Sequence, residues 1–248
     1  MIFSTDFEIL TLVILAVITI SQSLFGVGIL LWGTPIFLLL GENFIQTLTL
    51  LLPLSLMVSF LQISPSINQI DKDIFFRCLK YSIPGIFVGL NVILLYRPDI
   101  NLLVGVILVA SVCLKTDVLS KFIHRTVSRY DTLFVFIIGL IHGLSNLGGP
   151  LLVLRVSLEK FVKETYRTTV AAVYLLFAII QLSIISFNVG YIEISITYFL
   201  FTCLIYFFSN RYIFFKISET LYQRAITFLM VLVALFLFLK YFNLSSSL

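Results

Sequence analysis

The sequence predicts an all-α, polytopic integral membrane protein. About eight hydrophobic segments form two repeated, inverted halves, and the first segment of each half is broken at glycine and proline. Three observations predict this. The 248 residues are 60% hydrophobic and 11% charged, against roughly 45–50% apolar and about 25% charged in soluble domains. The apolar residues fall in runs of about 20, the length that crosses a hydrocarbon core. Every basic residue except Arg97 and Lys240 lies in one of four short regions between those runs.

Taken in order, the segments are about 8–40, 43–63, 75–96, 100–114, 131–155, 165–187, 192–209 and 224–243. All are expected to be helical, because a multi-span chain of this hydropathy is not a barrel of alternating strands. The first would be roughly 50 Å long as a straight helix, too long for one crossing. Its middle carries Gly26, Gly28, Gly33, Thr34 and Pro35. The fifth carries His142, Ser145, Asn146, Gly148, Gly149 and Pro150 between apolar ends. A helix broken in a bilayer frees backbone groups that must face protein or a water-lined cavity. Secondary transporters build midplane substrate sites from such breaks. No Lys or Arg precedes the first apolar run and no small-residue cleavage site follows it, so residues 1–40 read as part of the mature fold, not a secretory signal.

The charges set the orientation. Lys72, Arg77 and Lys80 mark one region. Lys115, Lys121, Arg125 and Arg129 mark the second, and Arg155, Lys160, Lys163 and Arg167 the third. Arg211, Lys216 and Arg224 mark the fourth. The positive-inside rule makes all four cytoplasmic. Two of them flank the segment 131–155, so a single crossing would violate the rule. A hairpin entering from the cytoplasm and returning, with its tip at Ser145–Pro150, satisfies it; a tilted single span with one violating loop is the alternative, since the rule is statistical. A hairpin over 8–40, entered from the outside, is its counterpart. The chain is then one transmembrane domain over 1–248 with repeat halves 1–120 and 125–248. Gly33-Thr34-Pro35 pairs with Gly148-Gly149-Pro150, and Gly28 with Gly143, at one shared offset. Two tips from opposite faces would meet near the midplane.

At these residues the chain resembles the sulfite exporter TauE/SafE family of membrane permeases. The family carries a glycine-rich motif ending in proline in the first segment of each half. Its counterparts here are Gly26, Gly28, Gly33 and Pro35, then Gly143, Gly148, Gly149 and Pro150. Pro84, Gly85 and Gly89 in the third segment fit as well. The sequence departs from the motif in two places: Ile29 follows Gly28 where a glycine triplet is usual, and Pro150 directly follows Gly149, with Asn146 in the glycine run. The resemblance implies a permease for sulfite or organosulfonates.

The chemistry of the breaks agrees. No Asp or Glu lies deep in a segment, which argues against a cationic substrate and against carboxylate-based proton coupling. A half-helix N-terminus carries about half a positive charge and free N–H donors. Half-helices starting near Thr34 and Gly149 would aim those ends at the tips, with Pro150 tolerated in the first turn. His142 reads as an anion contact or proton carrier, or as a neutral histidine bonded to a neighbouring helix. Asn146 reads as a donor to a sulfonate oxygen or as a local cap. Arg155 reads as a counter-charge or a snorkelling edge residue. The candidate binding residues are therefore Gly26, Gly28, Gly33, Thr34, Pro35, His142, Ser145, Asn146, Gly148, Gly149, Pro150 and Arg155. Gln22, Gln46, Thr49, Thr169, Tyr174 and Gln181 are polar residues within spans, and read equally as interhelical bonds or as ligands.

Cys78, Cys113 and Cys203 form no CxxC pair, so neither a disulfide framework nor a metal site is expected. No cofactor, catalytic residue or nucleic-acid partner is expected. The net charge of +4 follows the membrane sides. The partners implied are a small-molecule anion and the lipid bilayer of an inner, cell membrane. The reading is an anion permease, with export favoured. A carrier for a neutral solute and a non-transporting membrane subunit are the alternatives.

Overall fold

The computed structural model describes residues 5–96, 98–113, 117–159, 161–190, 192, 194–212, 231 and 235–242. Among them the chain is helical and contains no strand. Four helices are long and apolar enough to cross a membrane, over Glu8–Phe25, Phe44–Gln69, Lys72–Tyr96 and Lys163–Val189.

The helix order follows the sequence closely. α1 (Thr5–Phe25) and α2 (Ile29–Leu39) replace the long first segment. α3 (Phe44–Ile63) starts where the Asn43 side chain accepts from the Gln46 N–H at 2.9 Å, and runs into a 3-10 turn over Ser64–Gln69. α4 (Lys72–Tyr96) starts where Asp71 accepts from the Ile74 N–H. α5 is Asn101–Cys113. α6 (Asp117–Ser145) contains a non-helical Tyr130, so the apolar part begins afresh at Asp131. α7 is Gly149–Ser157. α8 (Lys163–Val189) ends at Gly190, whose φ of 87° a glycine adopts without strain. α9 is Ile196–Tyr212. The segment at 224–243 lies mostly outside the described residues, which include a helical stretch over 235–242.

Both broken segments turn back on themselves. Arg155 Nε donates to Asp131 Oδ1 at 2.6 Å. A continuous helix would hold those residues about 36 Å apart, so α7 returns along α6. Trp32 Nε1 donates to Ser21 Oγ at 3.1 Å, although a straight helix would separate them by about 16 Å. α2 therefore returns along α1. The turned-back segment 131–155 brings both of its flanking basic regions to one side.

Further contacts gather the basic regions on that face. Arg77 and Arg155 share Asp131. Ser66 donates to Glu164 at 2.8 Å, the Asp71 N–H donates to Thr169 Oγ1, and Arg167 donates to Asn210 Oδ1.

α3 and α8 pack together at the centre and are the most enclosed of the four long helices. Leu48, Leu51, Leu52, Val170, Val173 and Phe177 are fully buried there. α4 packs on α6, and α1 on α9. The α4–α6 seam is made by glycines. A Cβ on Gly85 would press on the Gly139 main chain, one on Gly89 on that of Gly143, and one on Gly139 on that of Ser82. Small residues allow this close approach where lipid supplies no hydrophobic drive between helices. Ser82 Oγ adds a bond to the Val135 carbonyl at 3.1 Å.

Gly139→Leu should cost about 3 kcal/mol or more, because the new side chain meets backbone that cannot give way. Gly41→Ala, at φ 99° with nothing near its Cβ, should cost only about 1 kcal/mol. Thermal unfolding in detergent compares them. The turned-back geometry predicts a labelling pattern too. In a cysteine-free background, Lys80→Cys and Ser157→Cys should react with an impermeant maleimide from one side of the membrane, and Glu42→Cys from the other. Opposite sidedness of 80 and 157 would refute the hairpin.

Candidate functional site

The two hairpin tips are built alike. The α1 ladder ends with the Gly26 N–H donating to the Gln22 carbonyl at 2.9 Å, and Gly26 then takes φ 77°. The α6 ladder ends with the Asn146 N–H donating to the His142 carbonyl at 2.8 Å, and Asn146 takes φ 62°. Asn146 is the non-glycine residue at positive φ among those described, and asparagine is one of the few that visit this region readily. Helix resumes with Trp32 N–H to the Gly28 carbonyl, and with Leu152 N–H to the Gly148 carbonyl. A Cβ at Gly28 would fall on the backbone of Gln22 and Ile18, and one at Gly148 on His142 and Ile138. Behind each tip stands a glutamine: Gln62 Nε2 donates to the Gln22 carbonyl at 3.3 Å, and Gln181 Nε2 to the His142 carbonyl at 3.2 Å.

This matching corrects the sequence pairing. Gly26 corresponds to Asn146, Gly28 to Gly148 and Gln22 to His142. Gly33, Thr34 and Pro35 lie inside α2, so the first half-helix starts at Ile29 instead of near Thr34. The left-handed residue decides where the helix breaks. Pro35 follows a complete turn of helix and is absorbed within it.

The tips differ in how they treat the helix that follows. At the first, Gln22 Oε1 accepts from the Ile29 N–H at 3.0 Å and caps α2. Its amide nitrogen donates to Ser59 Oγ at 3.0 Å. At the second, His142 stands in place of Gln22, and neither ring nitrogen has a hydrogen-bond partner of normal geometry. The ring lies 4.8 Å from Phe177 and 5.7 Å from Tyr174, centroid to centroid. The Tyr174 hydroxyl sits against Gly149, where a Cβ would collide with it, and is unpartnered. Asn146 Oδ1 is unpartnered as well, and the Gln181 side chain lies beside the His142 ring without a bond of normal geometry from Oε1. His142, Asn146, Tyr174 and Gln181 are all 0% exposed. Unmade bonds of this kind are costly in a core, and these atoms gather around one helix start, which is the candidate site.

The structure brings His142, Ser145, Asn146, Gly148, Gly149 and Pro150 together at the second tip. Ser145 donates to the Ile141 carbonyl and accepts from the Leu147 N–H, so it is Ser145 that supplies the local cap. Asn146 Nδ2 donates to Thr34 Oγ1 at 2.8 Å and joins the two hairpins. Thr34 lies beyond the first tip on α2, so the hairpins overlap instead of meeting tip to tip. Gly26 and Gly28 are at the first tip, where Gly26 packs on the Arg167 carbonyl and the Ala171 N–H. Gly33 packs on Leu51 and Ile18, and Pro35 is buried in α2. Arg155 is not brought to the tip as a counter-charge: it is held by Asp131 and by Glu159 at 2.8 Å. Tyr174 and Gln181, which the sequence left equally open as interhelical bonds or ligands, stand beside this tip. Their signal was a polar side chain inside an apolar span.

A family model described as sulfite exporter TauE/SafE matches residues 10–237. The chain belongs to the TauE/SafE family. No curated protein and no solved structure matches it. Membership and the long apolar helices make this TauE/SafE chain an integral membrane protein of a transporter family for sulfur-related anions. The turned-back segments place Gly26 and Gly28 at one tip and Gly148 and Gly149 at the other, and the buried polar cluster gathers at the second.

In this TauE/SafE protein the Arg77–Asp131–Arg155–Glu159 network pins the base of the second hairpin. Asp131→Leu alone leaves Arg155 under-compensated and should cost about 3 kcal/mol. Adding Arg155→Met should recover most of that loss, since an apolar pair of similar volume removes the stranded charge. Thermal melts of the two singles and the double form the cycle that checks it.

Proposed function

We propose that this TauE/SafE protein is an alternating-access permease for a small sulfur oxyanion or organosulfonate. The anion is held at the second hairpin tip, at the N-terminus of α7, between Tyr174, His142 and Asn146. The observation that carries the reading is the cluster of buried, unpartnered polar atoms on the start of a helix that Gln22's counterpart leaves uncapped. α7 contributes about half a positive charge and its first N–H groups. Tyr174 and His142 add donors. Gly148 lets the tip pack on His142 and Ile138, and Gly149 leaves the room that the Tyr174 hydroxyl occupies.

Two inverted halves, 1–120 and 125–248, supply the two exposures that alternating access needs. The matched tips support that reading. So do the seams: α6 meets α4 through Gly139 and Gly143, and α1 meets α9 through Ser23, whose hydroxyl bonds Ser209. Gly143 and Ser23 hold the same place relative to their tips. Both hairpins, the overlap at Asn146–Thr34 and the multi-pass arrangement suit an inner cell membrane. There an interior-negative potential drives an anion outward by about 2.3 kcal/mol per charge per 100 mV. Export therefore runs without a coupling ion.

The test is flux in proteoliposomes loaded with methanesulfonate or sulfite under an imposed potential. The wild type should carry at least one of them. Tyr174→Phe and Asn146→Gly each remove one ligand group. Phenylalanine keeps the ring, and glycine keeps the positive φ. Each should lower flux by on the order of 10-fold or more; Tyr174→Phe should leave the melting temperature unchanged or raised, because an unpartnered buried group is lost, whereas Asn146→Gly also gives up the bond to Thr34 and should lower it. Absence of flux in folded wild-type protein would refute the reading.

A further inference from the structure

Taking the second-tip site as the binding site, we infer that it accepts one negative charge at a time. It takes monoanions such as bisulfite or an alkylsulfonate and excludes dianions such as sulfate and fully ionised sulfite. The argument is a count of positive charge. The sequence offers two half-helix N-termini and one nearby arginine. In the structure the N-terminus of α2 is closed by Gln22 Oε1. Arg155 is bound to Asp131 and Glu159. Arg167, on α8 two turns before Tyr174, is held beside the first tip by the Ser23 carbonyl and Asn210 Oδ1. That leaves α7 as the positive end against the second-tip cluster, about half a unit of charge, with neutral donors from Tyr174, His142 and Asn146.

The side chains of the site are fully buried. The cost of taking an ion out of water rises with the square of its charge, whereas its attraction to fixed neutral dipoles rises only in proportion. A second negative charge thus quadruples the cost and only doubles the gain. Two atoms of the cluster, Asn146 Oδ1, which has no partner, and Gln181 Oε1, beside the His142 ring, are acceptors. They repel a second ionised oxygen and accept the hydrogen that bisulfite still carries. Pro150 in the first turn of α7 withholds one N–H, so the donor run is short as well.

The titratable and charged groups on the surrounding elements are His142 on α6 and Tyr166, Tyr174 and Arg167 on α8. Cys78 and Arg77 lie on α4, and Asp131, Arg155 and Glu159 at the hairpin base. Any of these could give transport a pH profile of its own, so the experiment carries an internal reference. Wild-type protein in liposomes is assayed with methanesulfonate, sulfate and sulfite, each on both sides of neutrality and each against protein-free liposomes. Methanesulfonate matches sulfate in shape, carries one charge and does not titrate in this range. Its flux therefore reads the protein's own groups.

The expected result is methanesulfonate flux on the order of 100-fold above sulfate. The ratio of sulfite to methanesulfonate flux should fall as pH rises, in step with the bisulfite fraction. Sulfate flux close to that of methanesulfonate, or a sulfite ratio that holds or rises with pH, overturns the single-charge site while leaving the permease intact. Failure of all three anions to move overturns both.

Discussion

A helix that stops and restarts inside an apolar core leaves N–H groups on the new helix without partners. Everything notable in this chain follows from how that constraint is met at two places. At the first tip a glutamine one turn back reaches forward and closes the helix start. At the second a histidine holds the same place and closes nothing. The same backbone therefore makes a capped tip and an uncapped one. The difference is one side chain, because an amide oxygen on a flexible stem reaches Ile29, whereas the imidazole is held against Phe177 and Tyr174.

α8 serves both tips. Near its start, the Arg167 carbonyl and the Ala171 N–H lie against Gly26. Farther along, Tyr174 meets Gly149 and Gln181 meets His142. From Arg167 to Gln181 is about 21 Å of helix. The tips therefore sit at different levels and slide past one another, with Asn146 and Thr34 joining them where they overlap. The ion network at the base of the second hairpin belongs to the same geometry: it is where α7 completes its return beside α6 and α4.

Most of the helices were legible in the sequence, because hydropathy and basic residues report the membrane directly. The conflict between two basic regions flanking one segment already implied a hairpin, and Arg155–Asp131 is its physical form. The first break was misplaced because Gly-Thr-Pro looks like an interruption, yet Pro35 sits within α2. What breaks the helix is a positive φ at Gly26, and a glycine in a sequence does not announce its φ. The pairing of Gly26 with Asn146 was hidden for the same reason: two different residue types fill one conformational role. Tyr174 and Gln181 could be seen as polar intrusions, but which tip they serve depends on the crossing of α8 over both hairpins. Arg155 left two readings open, counter-charge or membrane-edge residue, because its carboxylate partner Asp131 is distant along the chain and near only after the turn.

The seams around the second hairpin differ in what they allow to move. Against α4 the contact is backbone on backbone, through Gly85, Gly89, Gly139 and Gly143. Such a seam has no side chains to re-pack, and Ser82 and Arg77 tie it further. Against the first hairpin the polar link is a side-chain bond, Asn146 to Thr34. Packed interfaces move as rigid bodies unless a second packing is available. In the proposed transport cycle, then, α4 travels with the second hairpin, and the Asn146–Thr34 contact is the one that changes. The residue that opens that contact is also a ligand of the proposed site. An anion that takes the Asn146 amide competes directly with Thr34 for it, which couples occupancy of the site to the contact between the two halves.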